Sequence, residues 1–196
     1  MEDKKSDRRI KYTKMVIKQA LLDLMAENTL NKITVTDICN KADINRGTFY
    51  TYFKDTYDLL NQIEDEFFAD IKEVLEKSQV LDDDYAFLVK ILEYIAINSA
   101  LCRIILGEHG DKAFFKRLMD LAHDKSISEY QALASGATKD EMELLFTFVS
   151  NGIVGMIQYW LQNDLKQNPP ELAELIRKIS KTVYIYMNNE PQKQHK

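Results

Sequence analysis

The sequence predicts an all-α chain: an N-terminal helix-turn-helix unit followed by a larger helical body, about nine helices in total, with no strand and no internal repeat. Three observations predict this. Apolar residues fill 45% of the 196 positions while glycine (six) and proline (three) are scarce, a balance that favours helices over a turn-rich β fold. Apolar residues recur at 3.6-residue spacing through long windows. Side chains that cap helices stand where those windows begin.

The first helix is expected over about 11–27, where Ile17, Ala20, Leu21, Leu24 and Met25 share a face. Thr34 caps the second, with Asp37 three residues on as a weaker capping box, and Ile33 and Ile38 at hydrophobic-staple spacing. The pattern recurs at once: Asn45 caps a third helix, with Ile44 before it and Phe49 at its fourth position. Two helix starts so close together leave only a tight turn at Lys41-Ala42-Asp43, which is helix-turn-helix spacing. Asp43 tolerates the left-handed backbone such a turn needs, less readily than glycine. The fourth helix is expected from Asp55 to about Lys77, with Leu60, Ile63, Phe67, Ile71 and Val74 inside. Asp82-Asp83-Asp84 is a polar break that caps the fifth. Residues 85–106 are apolar nearly all round, which predicts one central, buried helix. Gly107-Glu108-His109-Gly110-Asp111 ends it, and Asp111 caps a helix bearing Phe114, Leu118, Leu121 and Ala122. After a break at Ser135-Gly136, Thr138 and Glu141 form a capping box for a helix carrying Leu145, Phe148, Val149, Gly152, Ile153, Met156 and Trp160. Pro169-Pro170 opens the last helix, with Leu172, Leu175, Ile176, Ile179, Val183 and Tyr186 inside. The polar tail from Pro191 is expected to be disordered.

The third helix, Asn45 to Tyr52, carries the functional signal. Phe49 and Phe53 lie four apart and turn toward neighbouring helices, leaving Arg46, Gly47, Thr48, Tyr50 and Thr51 to face outward. An Arg near a helix start can fork onto guanine in the major groove. Gly47 would let backbone approach DNA closely, and the Thr and Tyr hydroxyls with Lys54 suit phosphate oxygens. Charge agrees. Residues 1–54 hold 11 Lys+Arg against 7 Asp+Glu, although the whole chain carries −5; a basic end on an acidic body suggests DNA binding at that end. Lys4, Lys5, Arg8, Arg9, Lys11 and Lys14 run into the first helix, either as extra phosphate or minor-groove contacts or as a soluble, frayed terminus.

Other chemistry is poorly supported. Cys39 and Cys102 are too few for a disulfide framework and read as buried thiols in a reducing cytosol. His109, His123 and His195 form no metal-ligand spacing, and no phosphate loop or nucleophile motif occurs. No enzyme, metal or cofactor is expected. No window reaches eighteen apolar residues, so no membrane span is expected.

Ile33-Thr-Val-Thr-Asp-Ile-Cys, Ala42-Asp-Ile-Asn-Arg-Gly-Thr-Phe-Tyr-Thr-Tyr-Phe-Lys-Asp and Leu59-Leu60 resemble the DNA-binding domain of the TetR family of bacterial transcriptional regulators. Leu101-Cys-Arg-Ile-Ile-Leu-Gly-Glu-His-Gly-Asp and Asn151-Gly-Ile-Val-Gly-Met-Ile-Gln-Tyr-Trp-Leu resemble a Firmicutes-type branch of its C-terminal half. The resemblance implies a DNA-binding domain over 1–54, an effector-binding and dimerising domain over 55–190, and a tail over 191–196. It implies a cytoplasmic, nucleoid-associated homodimer on a near-palindromic operator, a repressor released by a small molecule. Carried over by position, Thr34 and Thr36 would touch the DNA backbone, and Asn45, Arg46, Gly47, Thr48, Tyr50, Thr51, Tyr52 and Lys54 would complete the DNA-binding set. Many relatives have His where Tyr52 stands and Lys where Thr56 stands; Lys54 or the helix terminus would have to replace that Lys. The last two helices would form the dimer interface, with Gly152, Gly155, Ile176, Ile179 and Val183 at it. Effector lining would come from Phe87, Cys102, His109, Phe114, Met119, Phe148, Met156, Tyr159 and Trp160, a set suited to an apolar or flat molecule. The alternative is a coactivator-type regulator whose C-terminal domain docks a protein.

Overall fold

The structure, a computed structural model, describes residues 2–78, 84–107, 110–133 and 138–189. Among them are nine α-helices, one 3-10 turn at Leu30–Lys32, and no strand. Asp82 and Asp83, His109, the Ser135-Gly136 break and the tail from Pro191 lie outside the described residues, as do the side chains of Lys4, Lys5, Ala122 and Tyr186.

Helix α1 (Glu2–Met25) begins well before the expected Lys11. No glycine or proline interrupts residues 2–10. The acids fall in the first turns, where the helix dipole favours them, and Asp7 pairs with Lys11 one turn on at 3.4 Å, so the helix propagates backward. Thr34 closes both halves of its capping box: its hydroxyl accepts from the Asp37 N–H at 3.2 Å, and its own N–H donates to Asp37 Oδ2 at 2.9 Å. Helix α2 (Val35–Ala42) stops where Asp43 turns left-handed at φ 52°, ψ 50°. The Ile44 N–H reaches back to the Cys39 carbonyl at 3.0 Å, which satisfies an end carbonyl. Helix α3 (Arg46–Tyr52) then starts at Asn45, whose Oδ1 accepts from the Thr48 N–H at 2.8 Å.

The chain divides into two compact units. The first comprises Met1–Ile71 and Ala100–Asp111. Its core joins Ile17, Leu21 and Met25 to Ile38, Phe49, Phe53, and to Leu59, Leu60 and Ile63 of α4 (Thr56–Ser78), with Ile104 of α6 (Ser99–Ile105) in the same cluster. Both expected staples are present, since Ile33 and Ile38 are buried together and Ile44 packs on the cluster that holds Phe49. The division falls at Ile71 rather than Lys54 because the first turns of α4 supply core to the helix-turn-helix; α4 itself runs on into the second unit.

The second unit comprises Lys72–Ser99 and Lys112–Lys196. It holds α5 (Asp84–Ile97), α7 (Lys112–Leu133), α8 (Lys139–Gln162) and α9 (Pro169–Asn189), with α9 lying along α5 and touching α7 and α8. The Thr138–Glu141 capping box opens α8. A box not foreseen opens α9: Asn168 Oδ1 accepts from the Glu171 N–H at 2.9 Å, and the Asn168 N–H donates to Glu171 Oε2 at 3.3 Å. The Trp160 indole N–H donates to the Gln167 carbonyl at 2.8 Å, fastening a loop in which Asp164 and Leu165 both take left-handed backbone.

The single buried helix expected over 85–106 is two helices. Helix α5 ends at Ile97, Asn98 folds its amide back onto the Tyr94 carbonyl at 2.9 Å, and α6 begins at Ser99. Asn and Ser bond to nearby backbone and so favour ends over interiors. All-round apolarity does not mean burial here either: Leu92 and Ile95 are buried, while Ile97 is 83% exposed. Past α6, a Cβ on Gly107 would stand 2.4 Å from the Arg103 carbonyl oxygen, so only glycine fits. Helix α8 is the one helix among the described residues long and apolar enough, by length and composition, to cross a membrane, which a search for consecutive apolar residues does not register. Its apolar side chains are split between a buried face (Met142, Leu145, Val149, Ile157) and an exposed one (Leu144, Phe148, Tyr159).

Candidate nucleic-acid interface

Helix α3 has seven residues, too few to be stable alone, and is held from both sides. Phe49 is fully buried and meets Phe53 at 5.7 Å between ring centroids. The Asn45 cap fixes the other end. On the outer face Tyr50 is 50% exposed. The Arg46 guanidinium donates to the Tyr50 hydroxyl at 3.2 Å and lies 5.8 Å from its ring centroid. That hydrogen bond raises the guanidinium pKa still further, so the charge is permanent. The two side chains present a pre-assembled cation and phenol with free donors, the groups that read guanine edges and hold phosphates.

The other expected contact residues divide by their local bonds. Thr34 and Thr36 are exposed, Thr34 with its hydroxyl committed to Asp37 at 2.6 Å; that hydroxyl, then the Thr34 N–H, holds the Asp37 carboxyl below its ordinary value. Thr48 is half-buried and its hydroxyl donates to Asn45 Oδ1 at 3.2 Å. Thr51 is exposed and donates to the Gly47 carbonyl at 2.9 Å. A Cβ on Gly47 would sit 3.2 Å from Asn45 Oδ1; glycine here also makes room for the cap, a reason independent of DNA. Tyr52 is half-buried, packs on the core and lies beneath the Lys14 ammonium, 5.8 Å from its ring centroid. Its ring belongs to the scaffold more than to the outer face.

At the start of α4, Thr56 is buried. Asp55 accepts from the Asp58 N–H at 2.8 Å, and Asp58 accepts from the Lys54 N–H at 2.9 Å, which holds the Asp58 carboxyl below its ordinary value. Two carboxylates thus occupy the helix terminus and would repel a phosphate there. Lys54 keeps an exposed side chain.

The effector set divides between the two units. Phe87, Phe114, Met119, Met156 and Trp160 fall in the second unit, buried or half-buried, whereas Cys102 is buried in the first. Trp160 spends its polar group on the α8–α9 loop. Burial pushes the Cys102 thiol up to about 12, which leaves it inert. Phe148 and Tyr159 are 68% and 65% exposed, on the side of α8 that bears Gly152 and Gly155, and so face away from the core formed by the described residues. His109 lies outside the described residues. A groove of about 470 Å³ does exist in the first unit, between α1 (Gln19, Leu22, Met25) and α6 (Arg103, Ile104); it uses none of the expected lining.

The expected dimer residues also divide. Gly152 and Gly155 are exposed, and a Cβ on either would meet nothing within 4 Å, so no close crossing among the described residues explains them. Ile179 is exposed, but Ile176 is buried and Val183 packs against Leu145 and Val149. Leu144, Phe148 and Tyr159 on α8 and Leu175 on α9 are exposed instead. Both faces of α8 carry apolar side chains, so sequence periodicity cannot say which of them is inward; the small-residue pair is the usable signal.

Residues 17–63 match the model of the bacterial regulatory proteins of the tetR family, and residues 82–182 match that of a transcriptional regulator C-terminal region. The chain is 26% identical over 168 residues, 82% of its length, to the uncharacterized HTH-type transcriptional regulator YxbF of Bacillus subtilis, and 34% identical over 90 residues, 40% of its length, to the HTH-type dhaKLM operon transcriptional activator DhaS of Lactococcus lactis. It spans less than half of each of these curated relatives, 42% and 48%. Among solved structures, a TetR transcriptional regulator from Streptococcus agalactiae aligns at a TM-score of 0.60 and 25% identity, over 89% of this chain and 97% of that one. The C-terminal match alone covers just over half of the chain, the capped helix-turn-helix falls inside the N-terminal match, and the chain belongs to the tetR family of bacterial transcriptional regulators.

Proposed function

We propose that the chain is a cytoplasmic, homodimeric regulator that binds double-stranded DNA at a near-palindromic operator, with α3 of each protomer in a major groove. The observation that carries this reading is the Arg46–Tyr50 pair, exposed on a helix that is buried through Phe49 and capped by Asn45. Selection from a random duplex library tests it. Wild type should enrich one two-fold-symmetric site, and Arg46→Ala and Tyr50→Ala should lose binding to it while unfolding as wild type does. Binding unchanged by either substitution would refute it.

The dimer would form on the exposed stripe Leu144, Phe148, Gly152, Gly155 and Tyr159 of α8 with Leu175 and Ile179 of α9. Exposed apolar side chains around two glycines suit close helix approach more than a lipid surface. Operator release by a small molecule is retained for the second unit, on Phe87, Phe114, Met119 and Met156. A second reading has one observation in its favour: the stripe is a large exposed apolar face, which a coactivator-type regulator could use to dock a protein. Sedimentation of the pure chain separates the two, since a self-covered stripe gives a dimer without any partner.

A further inference from the structure

We infer that Lys14 of α1 is a phosphate-binding residue of the DNA interface and that Tyr52 is its positioning residue, a platform rather than a reader of bases. The inference rests on the operator reading above and assigns two of its residues. Three observations carry it. The Lys14 ammonium lies 5.8 Å from the Tyr52 ring centroid, within the range of a cation–π contact, so a long side chain of α1 is held against the last turn of the recognition helix. Such a contact orients a charge without neutralising it. The lysines on either side of it along α1 are differently employed: Lys11 pairs with Asp7 and Lys18 with Glu66. Lys14 has no carboxylate partner among the described residues.

Tyr52, in turn, is half-buried and packs on the core beside Phe53, 6.4 Å between centroids, which gives the ammonium a rigid seat. The recognition helix therefore carries an aromatic-held cation at each end, Arg46 on Tyr50 and Lys14 on Tyr52. The start of α4, the other place to hold a phosphate, is closed by Asp55 and Asp58.

The test measures affinity for the selected operator by fluorescence anisotropy between 50 and 200 mM salt. Each DNA phosphate that the variant no longer neutralises should lower the log–log salt slope by about 0.9. With two protomers on the duplex, wild type should therefore lose about 12-fold more affinity across that range than Lys14→Gln. Lys14→Arg and Tyr52→Phe should keep the slope and the base preference. Tyr52→Leu should fall to the Lys14→Gln level, and the double variant no lower. Thermal melts of each variant accompany the titrations. An unchanged slope in Lys14→Gln, whatever its melting temperature, overturns the inference, as does a Tyr52→Phe protein that relaxes one base position. If wild type itself selects no sequence, the operator reading falls and this inference with it; wild-type binding with an unaltered Lys14→Gln slope removes this inference alone.

Discussion

Asn45 sets the start of the recognition helix, and three substitutions there separate folding from binding. Its Oδ1 accepts from the Thr48 N–H at 2.8 Å and from the Thr48 hydroxyl at 3.2 Å. Asn45→Ala removes the acceptor of both bonds at once. The site is exposed, so water can take over, and the cost should be that of an ordinary N-cap, about 1 kcal/mol. For a chain of this size that is a fall of about 2–4 °C in melting temperature. If the loss is concentrated in α3, the binding-competent helix is depopulated by at most about fivefold per protomer, since 1.4 kcal/mol is tenfold. Asn45→Ser should restore the cap and both properties. Asn45→Asp should keep stability, because a carboxylate suits a helix start, yet weaken DNA binding, because it places a negative charge beside Arg46. Urea unfolding and anisotropy titrations on the selected duplex read the two effects. Ala and Ser variants of equal stability would refute the cap; an Asp variant that binds as wild type does would refute the placement of this helix start against phosphate.

Three further outcomes are expected. Phe49→Ala, one residue before the exposed Tyr50, should cost about 3–5 kcal/mol of stability by urea unfolding, because it empties a fully buried site. Phe148→Asp should leave helicity unchanged and turn a sedimenting dimer into a monomer, since Phe148 is exposed within the chain. The Asp37 carboxyl is held low by the Thr34 hydroxyl and then its N–H, and that of Glu141 by the Thr138 N–H and then its hydroxyl. Carboxyls with lowered folded pKa values contribute stability above their ordinary values and lose it as pH falls through the folded ones. Asp37→Asn with Glu141→Gln should therefore lose less stability than wild type between pH 7 and pH 3, read by urea midpoints at each pH.

Local structure in the N-terminal unit is legible because its signals are short-range. Thr34, Asp37 and Asn45 cap helices as their spacing implies, and Asp43 turns the chain left-handed. Period cannot separate the two halves of 85–106, because the break falls at Asn98, whose amide bonds back to the Tyr94 carbonyl inside an otherwise apolar run. Period places Ile176 inside, where it is buried, but also Leu175 and Ile179, which are exposed. On α8, apolar on both faces, it leaves Phe148 undecided, and the Gly152–Gly155 pair is what marks the outer face. The family motif puts Tyr52 among the DNA-binding residues, and only the fold shows Lys14 resting on it. Gly47 suits a close approach of backbone to DNA, and the cap geometry adds a nearer reason for it.

The claim that two copies of α3 read successive turns of one duplex is tested most directly by guanine-methylation interference and hydroxyl-radical footprinting on the selected operator. The account predicts interference at major-groove guanines in two symmetric half-sites, with centres one helical turn of about 10–10.5 base pairs, or a small multiple, apart, and loss of that pattern in Arg46→Ala. A single asymmetric patch, interference confined to the minor groove, or the same footprint from Arg46→Ala would contradict it.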